Sequence, residues 1–274
     1  MCPMSFGGVL LKYCMRNTPR FNTNSEALSK RIEAHEKFGE KELNAWIFSH
    51  LEPKPGMEIL DLGAGRGKQS IDLARIVGPA GHIRAVDISE ESLRVLRETA
   101  EQAGVANIVE PVWEGLDDFP THHFERIFDR VVSSYALYYS EAPDRLFPSI
   151  YRALKGGGIF FFCGPSGDNN REIKDFQRTL ADNVRLTEAG GVEFMEETGR
   201  KLAYRYFDEV LLTDFENPLR FNSPESLYAY WSSYNLYDQT LDEVFRKKAR
   251  QHFEHVSEFL TVKRVRGIRA LKSE

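Results

Sequence analysis

Two acidic side chains and three glycines mark the part of this chain that is arranged for chemistry. In the stretch ILDLGAGRGKQSI, residues 59–71, Asp61 precedes Gly63, Gly65 and Gly67, which stand two apart with Ala64 between the first pair. Glycines let a backbone approach a ligand closely and take angles that other residues avoid. A helix that follows them offers unpaired N–H groups and a partial positive charge, which a diphosphate or the amino-acid carboxylate of a smaller ligand can use. Asp87 closes a second apolar run, AVDIS, about twenty residues further on, where a carboxylate can accept hydrogen bonds from both hydroxyls of a ribose. The alternative for Asp87 is a helix cap, a role that Ser89 fills better. A dinucleotide fingerprint would set its third glycine one position later, where this chain has Lys68.

The elements that must position these residues follow from the hydrophobic rhythm. Residues 57–62, 82–88, 107–113, 126–134 and 158–163 read as short apolar strands, and 68–77, 90–103 and 143–154 as amphipathic helices between them. Continuous apolar strands alternating with helices predict a parallel sheet covered on both faces. Before this unit, Asn24 is a helix cap, and Leu28, Ile32 and His35, then Leu43, Trp46, Ile47 and Leu51, fall at helical spacing, with Gly39 separating two pieces. After Gly164 the alternation ends. Residues 166–200 and 223–257 read as helical, and 206–215 and 259–271 as the last strands, the final one antiparallel to its predecessor. The expected organisation is an N-terminal helical cap segment over 1–54, a ligand-binding core over 55–165, and cap helices with the last strands of the same domain over 166–274.

Four matches, in order, resemble one family. EILDLGAGRGKQS resembles motif I of the class I S-adenosylmethionine-dependent methyltransferases. AVDIS is similar to their acidic, ribose-binding strand end, FDRVVSSYALYY to their fourth strand and its loop, and PDRLFPSIYRALKGGGIFFF to their helix, glycine turn and fifth strand. The resemblance covers roughly residues 55–165. It implies an α/β, Rossmann-like, doubly wound sheet of seven mostly parallel strands with an antiparallel last strand and an added helical cap, and S-adenosyl-L-methionine as cofactor. It also implies roles. Gly63, Ala64, Gly65 and Gly67 face the methionine part, Asp61 helps to orient its amino group, Asp87 holds the ribose and Ile88 packs on the adenine. An aspartate usually meets the adenine amino group from the loop after the third strand; here Glu114, Gly115 and Leu116 occupy that place, leaving the Glu114 side chain or the Leu116 N–H to serve. Ser133 and Tyr135 line the boundary between cofactor and acceptor.

Methyl transfer needs alignment and exclusion of water, and a base only where the acceptor must lose a proton, so no compact catalytic motif is expected. The catalytic residues stay open, with Tyr135, Tyr138, Tyr139 and His35 as candidates. Tyr230, Trp231 and Tyr234 form either a lid on the acceptor or the buried face of a helix. His252 and His255 stand three apart, but no third ligand accompanies them, and no metal is expected. The net charge is −5. RKKAR at 246–250 reads as a solvated helix face and KRVRGIR at 263–269 as an exposed strand, so a nucleic-acid partner is not expected. The acidic pair Asp117 and Asp118 reads as solvated loop. Three scattered cysteines, no signal-peptide pattern and no membrane-length apolar run point to a cytoplasmic protein. The leading expectation is methylation of a small molecule. Aminopropyl transfer or other chemistry with the same cofactor, a non-catalytic cofactor-binding protein, and an NAD-dependent oxidoreductase are the alternatives. The oligomeric state is open.

Overall fold

A computed structural model describes residues 37–118, 124–181, 190–234 and 237–274. Asn24, Leu28, Ile32, His35 and the first two cysteines lie outside the described residues. Within them, helix α1 (Leu43–Leu51) leads into strand β1 (Glu58–Leu62), and the chain then alternates as the apolar rhythm predicts: α2 (Lys68–Val77), β2 (His82–Asp87), α3 (Glu90–Gln102), β3 (Val109–Trp113), β4 (Phe128–Ser134), α4 (Pro143–Ala153), β5 (Leu154–Pro165). Then come α5 (Arg171–Arg178), α6 (Gly199–Tyr206), β6 (Glu209–Phe221), α7 (Pro224–Ser233), α8 (Asp242–His255) and β7 (Phe259–Leu271).

The seven strands form one sheet in the order β3-β2-β1-β4-β5-β7-β6. All neighbours are parallel except where β7 inserts antiparallel between β5 and β6. The chain winds outward from β1 to β3 and then restarts on the other side of β1 with β4. Strand order therefore reverses between β1 and β4, and a crevice opens beyond their carboxyl ends, where ligands of such sheets bind.

Both faces of the sheet are buried, and β5 shows how. Phe160 and Phe162 face α4, where each meets Phe147 edge-on at 5.6 and 5.5 Å, while Phe161 faces α1 and meets Trp46 at 5.3 Å. Successive side chains of a strand point to opposite faces, so one apolar run serves two layers. A separate cluster lies beyond the sheet edge. Trp231 and Tyr230 of α7 pack with Phe245 of α8, Ile173 of α5 and Phe221 of β6. Trp231 is fully buried, stacks on Phe245 at 4.1 Å, and donates its indole N–H to Gln177 at 3.0 Å.

The structure departs from the sequence reading in several places, among them β5, which runs from Leu154 to Pro165 rather than over 158–163. β6 runs on to Phe221 because it pairs with β7 along its whole length. Residues 223–257 are two helices with a break between them, where Asp238 accepts the Thr240 N–H. KRVRGIR is not an exposed strand: it lies in β7, an interior strand. Its arginines are neutralised by neighbours, Arg264 by Glu172 at 2.9 Å, Arg266 by Asp214 at 2.6 Å and Glu196 at 2.9 Å, and Arg269 by Glu52 at 2.9 Å.

Candidate functional site

A cleft opens beyond the carboxyl ends of β1, β2 and β3. Gly63, Asp87, Ile88, Glu114, Gly115, Leu116, Asp117, Ala136, Tyr139 and Glu141 line it. Seven of these were expected to touch cofactor or acceptor from the sequence. Asp117, Ala136 and Glu141 were not.

The loop after β1 is folded tightly onto its neighbours. The N–H groups of Gly63 and Ala64 donate to the Val86 carbonyl at 2.8 and 2.9 Å, and that of Gly67 to Ala64 O at 2.9 Å. The Gly65 N–H donates to Asp87 Oδ2 at 2.8 Å. Gly63 has φ +77°, and a Cβ there would lie 2.1 Å from Ala136 Cβ, so only glycine lets the loop after β4 close over it. Gly67, at φ +84°, turns the chain into α2 against the Leu96 side chain. Four N–H groups that could cradle a diphosphate are thus spent inside the protein.

Asp61 points under α2, 1% exposed, and accepts the Ser70 hydroxyl at 2.5 Å. Burial pushes its pKa up to about 7 despite that hydrogen bond, with a smaller push from the Asp87 charge. Asp87 accepts from Gly65 and, through Oδ1, from the Ser89 N–H at 2.8 Å. Burial raises its pKa too, opposed by these N–H groups. Ser89 itself caps α3 by accepting from the Ser92 N–H. At the end of β3, the Trp113 indole N–H holds the Ile88 carbonyl at 3.0 Å. The Glu114 N–H donates to the Asp87 carbonyl at 3.2 Å. Glu114 Oε2 is buried and has no hydrogen-bond partner among the described residues. Burial, with help from Asp118, raises the Glu114 pKa.

The far wall belongs to the loop after β4. Ser133 is buried and its hydroxyl donates to the Leu62 carbonyl at 2.7 Å, tying β4 to β1. Tyr135 takes φ +58°, an uncommon region for a bulky residue, while its N–H donates to the Cys163 carbonyl at 2.8 Å. Ala136 and Tyr139 turn toward the cleft, whereas Tyr138 packs against the cluster on the α4 face. Asp117 reaches across to this loop and accepts the Ser140 hydroxyl at 2.5 Å and the Glu141 N–H at 2.8 Å. It thereby anchors the entry to α4 from 25 residues back along the chain, a pairing no local pattern announces. His35, His122 and His123 lie outside the described residues, and His252 contacts the Glu258 carbonyl at 3.1 Å, far along the chain from the cleft residues. Among the described residues, no three His, Cys, Asp or Glu gather to hold a metal ion, and no helix is long and apolar enough to cross a membrane.

Acidic residues and a tightly folded glycine loop thus meet at the switch point of the sheet. The family described as "Methyltransferase domain" matches residues 53–210, more than half of the chain. The chain belongs to this family, and its class is that of the class I S-adenosylmethionine-dependent methyltransferases. It is 34% identical over 105 residues to the ubiquinone/menaquinone biosynthesis C-methyltransferase UbiE of Vibrio cholerae, a match over 38% of this chain and 40% of that one. The chain thus spans about two fifths of the length of this curated relative. A crystal structure from Bacillus halodurans superimposes with TM-score 0.58 at 18% identity, covering 85% of this chain and 99% of the other. The YcgJ protein of Bacillus subtilis does so with TM-score 0.55 at 16% identity, covering 84% and 98%. Both share the fold.

Proposed function

We propose that this protein transfers a methyl group from S-adenosylmethionine to a small-molecule acceptor. The observation that carries the reading is the charge of the cleft. Asp87, Glu114, Asp117 and Glu141 surround it, and the glycine loop spends its N–H groups internally. A cleft with this field attracts a ligand carrying a sulfonium and an ammonium and repels a diphosphate. S-adenosylmethionine supplies a methyl group on a positive sulfur; the acceptor's lone pair forms the new bond to carbon as the carbon–sulfur bond breaks, and a neutral thioether leaves.

The chain's own residues supply binding and alignment. Asp87 keeps an acceptor lone pair on each oxygen after its backbone bonds, enough for two ribose hydroxyls. Ile88 and Leu116 offer apolar surface for the adenine. Glu114 Oε2, buried without a partner, is the acceptor for the adenine amino group. Asp61 lies beneath the loop, where its carboxylate favours the ammonium of the methionine part. In this reading residues 55–165 hold the cofactor, and the elements of 166–274 complete the sheet and close the acceptor side. Neutralised arginines on β7 support a partner other than nucleic acid. A free, buried Cys163 accords with a reducing cytoplasm.

The test is titration with S-adenosylhomocysteine, then product analysis after incubation with methyl-labelled S-adenosylmethionine and a metabolite extract. Asp87→Ala is expected to weaken S-adenosylhomocysteine about 100-fold, the scale of two charge-assisted hydrogen bonds. Unaltered affinity refutes the assigned cofactor site. Methylthioadenosine in place of S-adenosylhomocysteine as product refutes methyl transfer.

A further inference from the structure

The two walls of the cleft belong to strands that are not neighbours. In the sheet, β2 and β1 separate β3 from β4, and three strand spacings amount to about 14 Å. The loops that follow these strands nevertheless meet. After β3, the Asp118 N–H donates to the Gly115 carbonyl at 3.1 Å, a tight turn with Asp117 at its corner. After β4, the Tyr139 N–H donates to the Ala136 carbonyl and the Ser140 N–H to the Leu137 carbonyl, both at 3.0 Å, so this wall is a tight turn as well. One carboxylate joins the two turns. Asp117 Oδ1 accepts the Ser140 hydroxyl at 2.5 Å and the Ala142 N–H at 3.3 Å, and Oδ2 accepts the Glu141 N–H at 2.8 Å. The three donors come from consecutive residues, so the carboxylate grips that stretch of chain as a unit.

Both walls carry residues that line the cleft: Leu116 on one, Ala136 and Tyr139 on the other, with Gly63, Asp87 and Ile88 between them. A ligand lying over the ends of β1 and β2 is therefore spanned by the link. Without it the walls move independently, and a ligand that touches both has to order them as it binds. A link formed in advance removes that cost. Its bonds are exposed, so each contributes little alone, and the hold comes from three donors sharing one charged group. We propose that Asp117 is a positioning residue for the cofactor, a clasp that keeps the walls of the cleft at the separation S-adenosylmethionine requires. It acts through Ser140, Glu141 and Ala142, not through contact with the ligand. This rests on the placement of the cofactor in this cleft given under the proposed function.

The experiment titrates the full chain with S-adenosylmethionine and with S-adenosylhomocysteine by calorimetry, with Asp87→Ala as the reference variant. Asp117→Ala is expected to weaken both ligands alike, about tenfold, the scale of one charge-assisted hydrogen bond. Asp117→Asn keeps an oxygen for Ser140 and Ala142 but sets an amide NH2 against the Glu141 N–H, and is expected to cost about threefold. Ser140→Ala removes a donor from the opposite wall and is expected to cost about threefold as well. Combined with Asp117→Ala it is expected to cost nothing further, since both substitutions cut the same link. If Asp117→Ala does not fold, Asp117→Asn and Ser140→Ala carry the test, again with equal loss for both ligands. Three results overturn the clasp: affinities indifferent to these substitutions while Asp87→Ala weakens binding, a loss confined to S-adenosylmethionine, which marks direct attraction between carboxylate and sulfonium, or losses from Asp117→Ala and Ser140→Ala that add. Affinity unaltered by Asp87→Ala overturns the cofactor placement, and the clasp with it.

Discussion

The acidic cleft after β1, β2 and β3 and the aromatic region around Tyr135 are assembled by opposite rules. At the cleft, Asp61, Gly63, Gly65 and Asp87 sit on two adjacent strands and the loop after the first, and are joined mainly through backbone N–H groups. Its side chains are carboxylates, held partly against their preference by burial. In the aromatic region, Tyr135, Cys163, Tyr230 and Lys263 come from the loop after β4, from β5, from α7 and from β7. They meet through aromatic packing and one ammonium. Backbone-built sites tolerate variation in the rest of the chain. Side-chain-built sites change with it, so a family can keep one cofactor and vary its acceptor.

If the two regions are separable, damage to the aromatic cluster beyond the sheet edge must leave S-adenosylhomocysteine binding intact. Trp231 is the strongest lever, since it is fully buried, stacked on Phe245 at 4.1 Å and bonded to Gln177. Trp231→Ala is expected to cost about 3–5 kcal/mol, the usual price of emptying an aromatic site. It also removes the indole hydrogen bond to the Gln177 carbonyl oxygen. Urea unfolding measures the cost, and S-adenosylhomocysteine titration of the folded variant reads the other half. A large loss of cofactor affinity in a folded variant would show that the halves are coupled and break the comparison.

The same contrast decides what was legible in the sequence. The glycine spacing and Asp87 could be read because each stands at the end of a short apolar run just ahead of a helix, and the observed bounds of β7, Phe259–Leu271, match the reading. Asp117 could not be read as the anchor of the loop before α4, because its partners are more than twenty residues away. The extension of β6 through ENPLRF was hidden by Pro218, which looks like a strand breaker. β6 is an edge strand, where a residue lacking N–H is tolerated. The interior place of KRVRGIR was hidden because its charges are matched by acids from four other segments. His35 and the first cap helix lie outside the described residues.

A second test probes the strain stored on the cofactor side. The Asp61 pKa, raised to about 7, means that the folded chain binds this proton more tightly than the unfolded one, whose carboxyl titrates near the ordinary 3.8. The folded state is therefore favoured below the unfolded value, and that contribution is lost as pH rises through about 7. Between about pH 5 and about pH 8 the loss is expected to be about 3 kcal/mol. Asp61→Asn removes the proton and should flatten this part of the profile. S-adenosylhomocysteine, whose ammonium favours the ionised carboxylate, should flatten it too. Unfolding curves at several pH values, with and without the ligand, check both. A pH slope unchanged by the substitution would mean that Asp61 does not hold its proton in the folded chain.

The smallest expected effect is the most local, and it sharpens the cofactor side to one atom. Glu114 Oε2 is buried in the cleft wall without a partner among the described residues, at the loop that follows β3. Accepting the adenine amino group would complete it, and that bond is worth about 1 kcal/mol, or several-fold in affinity. The unmodified protein is therefore expected to prefer S-adenosylhomocysteine over S-inosylhomocysteine, which carries an oxygen where adenine has its amino group and so confronts one acceptor with another. Glu114→Ala should erase most of this preference, weakening the adenosyl ligand and relieving the inosyl one. Because the two ligands share ribose and methionine parts, Asp87 and the glycine loop contribute equally to both and cancel. A preference that survives the substitution assigns the adenine amino group to another contact in the same cleft, with the Leu116 N–H left to read the ring.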